Sequence, residues 1–217
     1  YKSVSAAADR MLTDIYNKLK AVKPDVLIEY RQGYTGPHML AHGNMIRAVD
    51  CGNCFADNRL RTLDVRLLSG ASVAQSDMVI WNRDEPVESA AMQLLHVIFS
   101  VPQISVKFDE LPDDHTKMIR CFVKFWRLHR DVLLDGELMP LEPQAAFPVV
   151  LSVTGDKVLA AVYGSSVVPL PESLPQTVLL VNGTYNGRVI VEAPLDGGTR
   201  EVITRTCTGE EVSRSDL

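Results

Sequence analysis

The chain has 217 residues, of which 46% are apolar, and its formal net charge is −5. This composition is typical of a globular protein and excludes disordered, collagen-like and coiled-coil chains. The acidic balance argues against a nucleic-acid partner, and no stretch approaches the ~20 apolar residues of a membrane span. Four cysteines are too few for a disulfide scaffold, so the sequence leaves the cellular compartment open.

The first 140 residues alternate between helical and strand-like patterns. Apolar residues at four-residue spacing from Ala7 to Leu19 predict an amphipathic helix that ends at Lys23-Pro24. Short apolar runs predict strands over 26–30, 44–50, 71–75 and 103–107. Periodic segments predict further helices over 58–68, 85–99 and 111–133.

The pattern changes between residues 138 and 143. From there the helical period disappears, and short β-branched runs follow at 147–153, 157–163, 177–181, 188–191 and 201–206. Turn dipeptides such as Asn182-Gly183 separate several of these runs. The sequence therefore predicts two domains, 1–140 and 141–217, of which the second is a small antiparallel β-sandwich.

Polar side chains appear at the carboxyl end of each predicted strand of the first domain. Among them are Glu29, Arg47 and Asp50, and the third strand ends in Gln75, Ser76 and Asp77. Strand–helix alternation predicts parallel pairing, and barrel enzymes build their sites from such strand ends. We therefore expect 1–140 to form the C-terminal half of a (β/α)8 TIM barrel, with the other strands upstream or on a companion chain. The alternative is an open four-stranded α/β domain that is complete in itself.

The residues 26–53, VLIEYRQGYTGPHMLAHGNMIRAVDCGN, resemble a stretch of the retaining α-glycosidases. In that clan, which groups glycoside hydrolase families 27, 31 and 36, this stretch leads to the general acid/base. The segments NRLRTLDVRLLSGASVAQSDMVIW and FWRLHRDVLLDGEL resemble the closing part of family 36, the α-galactosidase-like proteins. Two departures leave the sugar open: 30–36 lacks the cysteine-containing block of family 36, and Arg47 stands where the clan has Trp.

The resemblance implies that Asp50 is the general acid/base in hydrolysis of a terminal α-linked sugar. Retention requires two carboxyl groups about 5–5.5 Å apart, one acting as nucleophile and the other as proton donor. The clan's nucleophile is expected on an earlier strand, and no residue of this sequence is a candidate, so the chain alone is expected to be inactive. A proton donor is expected to be partly buried beside another carboxylate. The alternative role for Asp50 is that of a turn or capping residue.

Six further residues are predicted to bind substrate: Arg31, Arg47, Ser76, Asp77, Tyr34 and Trp81. The two arginines suit sugar hydroxyls, although ion pairing explains them equally well. Ser76 and Asp77 suit a hydroxyl contact or the orientation of Asp50. The two aromatic rings are candidates for stacking on a sugar, with packing as the alternative.

A rival reading concerns His38-x3-His42 and Cys51-x2-Cys54, which have the ligand types of a zinc site. We favour no metal and no cofactor, because the cysteines follow a strand instead of forming a tight knuckle. A second functional hypothesis is a non-catalytic carbohydrate-binding or interaction module. The expected partners are an oligosaccharide or α-glycoside substrate and the upstream half of the barrel, and homo-oligomerisation is left open.

Overall fold

The computed structural model describes residues 2–30, 36–51, 53–70, 72–194 and 198–216. In its first part, helices alternate with short strands in the predicted order. These elements are α1 (Val4–Val22), β1 (Glu29–Tyr30), α2 (Pro37–Leu40), β2 (Met45–Arg47), α3 (Phe55–Ser69), β3 (Val73–Val79), α4 (Val87–Leu95), β4 (Val101–Ile104) and α5 (Asp113–Leu128). The predicted helices and strands of 1–140 are confirmed, with shorter bounds for most of them.

The first four strands form one parallel sheet in the order β1-β2-β3-β4. Met45 pairs with Glu29 on one side and with Val73 on the other, so the three strands are nearly in register. Parallel pairing places the carboxyl ends of neighbouring strands at the same edge of the sheet. Consequently Glu29 of β1, Arg47 of β2 and Asp50 after β2 lie near Asp77 of β3.

The second part of the chain is built from strands. They are β5 (Glu137–Leu141), β6 (Val149–Val153), β7 (Lys157–Val162), β8 (Val167–Pro169), β9 (Thr177–Asn182), β10 (Ile190–Glu192), β11 (Glu201–Arg205) and β12 (Glu211–Asp216). A mixed sheet has the order β5-β6-β7-β9, with β9 parallel to β7. β8 pairs with β10 in parallel, and β11 pairs with β12 as an antiparallel ribbon.

The predicted fold class, a half barrel followed by an antiparallel β-sandwich, is wrong. Within the described residues, the parallel strands form an open sheet of four strands, which is the architecture of the alternative. The later strands form a mixed sheet and two separate pairs, not two antiparallel sheets packed face to face. The expected upstream half barrel loses its basis with this correction.

One apolar cluster connects the two parts of the chain. Its buried members come from β3, the helices α3 to α5, the mixed sheet and the segments between them, and they include Leu63, Val79, Ala90, Leu94, Met118, Phe122, Val150, Leu159 and Val181. Leu94 is fully buried, and burial of such a side chain contributes roughly 1.5–3 kcal/mol. The cluster crosses residue 140, the predicted domain boundary, and the division into two domains stays a prediction.

Alternation along β6 and β7 buries both faces of the mixed sheet. Val150 and Leu159 belong to the cluster that contains α4. Val149 and Ala160 point the other way, toward a second apolar cluster that contains Val168 of β8. Because successive side chains of a strand point to opposite faces, a run of apolar residues covers both sides at once.

Candidate functional site

Arg47, the last residue of β2, lies at the centre of a group of three carboxylates. Its guanidinium is within 2.6 Å of Asp77, 3.2 Å of Asp50 and 3.6 Å of Glu29. The Arg47 side chain is only 6% exposed, so this charge is largely shielded from water. The four residues lie at the carboxyl edge of the parallel sheet, at or after the ends of β1 and β2 and within β3.

Asp77 is the buried anchor of the group. One of its oxygens accepts a hydrogen bond from Nη1 of Arg47 at 2.6 Å, and the other accepts from the backbone N–H of Cys51 at 2.6 Å. A carboxylate this deeply buried is stable only when it is paired and hydrogen-bonded. Since Cys51 directly follows Asp50, Asp77 holds the chain on one side of Asp50 while Arg47 holds its side chain.

Two polar side chains support the backbone around Asp77. The Asn58 side-chain oxygen accepts from the Asp77 N–H at 3.1 Å, and its amide donates to the Asp77 carbonyl at 3.3 Å. The Ser76 hydroxyl donates to the Asp77 carbonyl at 2.8 Å and accepts from the Gln103 N–H at 3.0 Å. The pairing of β3 with β4 is irregular at this point, and these bonds occupy groups that regular pairing would have used.

The structure separates the predicted substrate-binding residues into different environments. Ser76 is fully buried and serves the backbone, and Asp77 is buried as the partner of Arg47. Trp81 is 8% exposed and packs within the apolar cluster that connects the two parts of the chain. Its Nε1–H donates a hydrogen bond to Nδ1 of His115 at 3.0 Å. We therefore do not retain Ser76 or Trp81 as sugar contacts. Arg31 and Tyr34 lie outside the described residues.

Asp50 is the most exposed carboxylate of the group. Its side chain is 64% exposed, against 32% for Glu29 and 2% for Asp77. The partial burial expected of a proton donor is thus not observed, because Asp50 lies beyond the end of β2. Its backbone carbonyl accepts a hydrogen bond from Arg61 at 3.2 Å. The side chain is therefore held in position and accessible to a ligand.

Sequence reasoning missed two members of this site. The sequence indicates Glu29 only as a polar residue at a strand end and Asn58 as the first residue of a predicted helix. Parallel pairing could have suggested Glu29, since β1 and β2 end at the same edge. The sequence carries no signal for Asn58, because its role depends on how α3 is placed against β3.

The predicted histidine and cysteine pairs do not meet in one site. Burial raises the pKa of the Cys51 thiol to about 11, and the thiol donates to the Val49 carbonyl at 2.8 Å. Zinc binds the thiolate form, so this environment opposes metal binding by Cys51. His42 instead lies 3.1 Å from Asp9 of α1.

The arrangement provides an acidic, hydrogen-bonding edge with one buried cation. When fully ionised, the three carboxylates and Arg47 carry a net charge of −2. Sugars are bound through hydroxyl groups, which donate readily to carboxylates, and a retained proton on one carboxyl could be transferred to an oxygen. The group thus presents carboxylate oxygens, most accessibly those of Asp50, that can accept hydrogen bonds from hydroxyl groups.

Comparison with family models found no match to this chain, and searches among curated proteins and solved structures found no significant match either. Over the residues that the structure describes, no helix has the length and apolarity to cross a bilayer.

Proposed function

We propose that the protein is a retaining glycoside hydrolase that acts on terminal α-linked sugars, as an α-galactosidase does, with Asp50 as the general acid/base. The observation that carries the proposal is the accessible carboxyl of Asp50, held beside Arg47 at the carboxyl edge of a parallel sheet. Ligands of open parallel sheets bind at this edge. The resemblance of residues 26–53 to the clan supports the same assignment.

The mechanism requires a proton at Asp50, which shares the Arg47 guanidinium with two other carboxylates. A guanidinium favours the ionised form of a neighbouring carboxylate, whereas further carboxylates favour the protonated form. Arg47 already shares its charge with Asp77 at 2.6 Å and with Glu29 at 3.6 Å. Asp77 and Glu29 thus compete with Asp50 for the charge of Arg47, and a substrate covering the site would exclude water and strengthen these interactions.

The proposed reaction has two steps. In the first, Asp50 gives its proton to the glycosidic oxygen as the bond to the anomeric carbon breaks, while a nucleophilic carboxylate forms an ester with that carbon. In the second, the Asp50 carboxylate removes a proton from water as the water attacks the anomeric carbon and the ester breaks. We assign the nucleophile to none of the residues that the structure describes.

The test uses the intact protein that carries this sequence and a series of nitrophenyl α-glycosides. Asp50→Asn should lower turnover by about 10²–10⁴-fold for substrates whose leaving group needs a proton. The loss should shrink for dinitrophenyl substrates, whose leaving groups depart as anions. Added azide should restore turnover and form a glycosyl azide, because azide attacks the intermediate without a general base.

Asp64→Asn is the matched control, since Asp64 is an exposed aspartate of α3 outside the site. It should leave every rate unchanged. Wild-type turnover of all substrates by Asp50→Asn would refute the assignment. An equal loss for every leaving group, without azide rescue, would also refute it, because that pattern indicates damage to the site as a whole.

A second candidate is a carbohydrate-binding module without turnover. The 64% exposure of the Asp50 side chain favours it, because an exposed carboxylate can accept hydroxyl hydrogen bonds without proton transfer. This candidate expects saturable binding of an α-linked oligosaccharide, measured by calorimetry, in a protein that hydrolyses none of the substrates. Asp50→Asn would then weaken binding only slightly.

A further inference from the structure

Three side chains away from the sheet edge form a separate cluster of metal-ligand types. Asp9 comes from α1, and His38 and His42 come from α2 and the turn after it. Each residue offers one ligand atom, and the three atoms lie within 4.8 Å of one another. Among the residues that the structure describes, this is the group of His, Cys, Asp and Glu side chains that could hold a metal ion.

Local structure brings the two imidazoles together. Pro37 begins the short helix, and the backbone N–H of Ala41 donates to the Pro37 carbonyl at 3.0 Å, which continues the helical turn toward His42. Residues four apart on such a turn lie on the same face. The centroids of the His38 and His42 rings are accordingly 5.2 Å apart, with the rings arranged edge to face.

The separations suit a small divalent cation. Bonds of ~2.0–2.1 Å in tetrahedral geometry place neighbouring ligand atoms roughly 3.3–3.4 Å apart. Oδ1 of Asp9 lies 3.1 Å from Nε2 of His42 and 3.9 Å from Nδ1 of His38, which brackets that value. His42 is 7% exposed at its side chain, whereas Asp9 and His38 are more than half exposed. Small rotations of the two exposed side chains would complete the geometry around the fixed imidazole.

We propose that Asp9, His38 and His42 bind one divalent transition-metal ion of the zinc class. Two imidazoles and one carboxylate are a ligand set that Zn²⁺ accepts, and three protein ligands leave a fourth position for water. The site is distinct from the Arg47 group and does not depend on the proposed function. Cys51 is not a ligand, since burial keeps its thiol protonated.

The metal would fasten α1 to the rest of the fold. All 19 residues of α1 are at least partly exposed, so burial of apolar surface contributes little to holding this helix in place. Asp9 and His42 are 33 residues apart in sequence, and their 3.1 Å contact joins α1 to the turn that precedes β2. A bound ion would join Asp9 of α1 to both His38 and His42 through metal bonds across the same junction.

The experiment titrates untagged, chelator-treated protein with Co²⁺ and follows the visible absorption bands of the bound ion, which Zn²⁺ then displaces. We expect one equivalent to bind. His38→Gln and Asp9→Asn should each weaken binding by at least about tenfold, because each removes a ligand from an exposed position. Asp14→Asn on the same helix and Cys54→Ser are the matched controls and should bind as the wild type does.

Trypsin cleavage after Lys18 and Lys20 of α1 gives a second measurement. Zn²⁺ should slow cleavage in the wild type and in Asp14→Asn but not in Asp9→Asn. Absence of saturable one-to-one binding would overturn the proposal, as would unchanged affinity in both His38→Gln and Asp9→Asn. Loss of binding in Cys54→Ser alone would overturn it too, because the cysteines would then be the ligands. Cleavage rates that are indifferent to Zn²⁺ would overturn the tethering of α1.

Discussion

Removal of the Arg47 charge should destabilise the fold more than removal of the Asp77 charge. In Arg47→Met the aliphatic stem remains, but the 2% exposed carboxylate of Asp77 loses its cation. It keeps one described hydrogen bond, from the Cys51 N–H at 2.6 Å. An unpaired buried charge of this kind costs about 3–5 kcal/mol of unfolding free energy.

The reverse change leaves a better-compensated site. Asp77→Asn keeps the shape of the side chain and one oxygen that can accept from the Cys51 N–H. Arg47 retains Asp50 at 3.2 Å and Glu29 at 3.6 Å, so its charge is still opposed. We expect a cost of about 1–3 kcal/mol, which is the range for a disrupted buried hydrogen bond. In the double variant, the cost should be well below the sum of the two single costs, because the residues form one network.

Equilibrium unfolding in urea measures all three variants, with the slope of free energy against urea concentration checked for constancy. The expected order of destabilisation is Arg47→Met above Asp77→Asn, with a coupling energy of at least about 1 kcal/mol in the double variant. The distances indicate that the carboxylates depend on Arg47. Equal losses of unfolding free energy in the two single variants, or strictly additive losses in the double variant, would refute this dependence.

Burial, with a further contribution from the charge of Arg59, lowers the pKa of His96 to about 3. Below pH ~6.5 the unfolded chain therefore binds more protons than the folded chain, so the free energy of unfolding decreases on acidification by up to about 1.4 kcal/mol per pH unit. In chemical unfolding, His96→Gln should flatten this pH dependence between pH 6 and 4. The same pH dependence of the unfolding free energy in the wild type and in His96→Gln would contradict this prediction. In Gly136→Ala, the new Cβ would lie 2.5 Å from the Ser152 hydroxyl oxygen, so we expect a loss of about 1–3 kcal/mol in denaturant unfolding, and an unchanged midpoint would count against the packing. Trp81→Phe removes the donor to His115 Nδ1 and should cost about 1–3 kcal/mol in the same assay, whereas a neutral result would show that this bond contributes nothing net.

The parallel part of the fold was predictable because its signals are local and periodic. The spacing of Ala7, Met11, Ile15 and Leu19 indicates α1, and the apolar runs ahead of Asp50 and Asp77 indicate β2 and β3. The number of strands in the whole sheet is not a local property. Barrels and open parallel sheets both carry polar residues at the carboxyl ends of their strands, so this pattern could not distinguish a half barrel from an open sheet.

The second part was less predictable because its pairing is non-local. The turn at Gly155-Asp156 joins β6 and β7 as neighbours, as the sequence indicates. The next partner of β7 is β9, which runs parallel to it after an intervening β8 that pairs elsewhere. Three strands were not predicted, each for a different reason. Pro140 argues against a strand at β5, β8 is only three residues long, and β12 is exposed along its whole length and lacks apolar alternation.

The candidate site survives the correction of the fold because it depends on neighbouring strand ends and not on closure of a barrel. Arg47 and Asp77 are brought together by the pairing of β2 with β3, and Asp50 follows Arg47 by three residues. The same pairing explains why Asp77 contacts Arg47 and the Cys51 N–H while Asp50 is accessible: Asp77 lies within a strand that pairs with β2 and β4, whereas Asp50 lies beyond a strand end. A residue identified by its place after a strand is therefore the better candidate for ligand contact, and its neighbour within a strand is the better candidate for holding the contact residue in place.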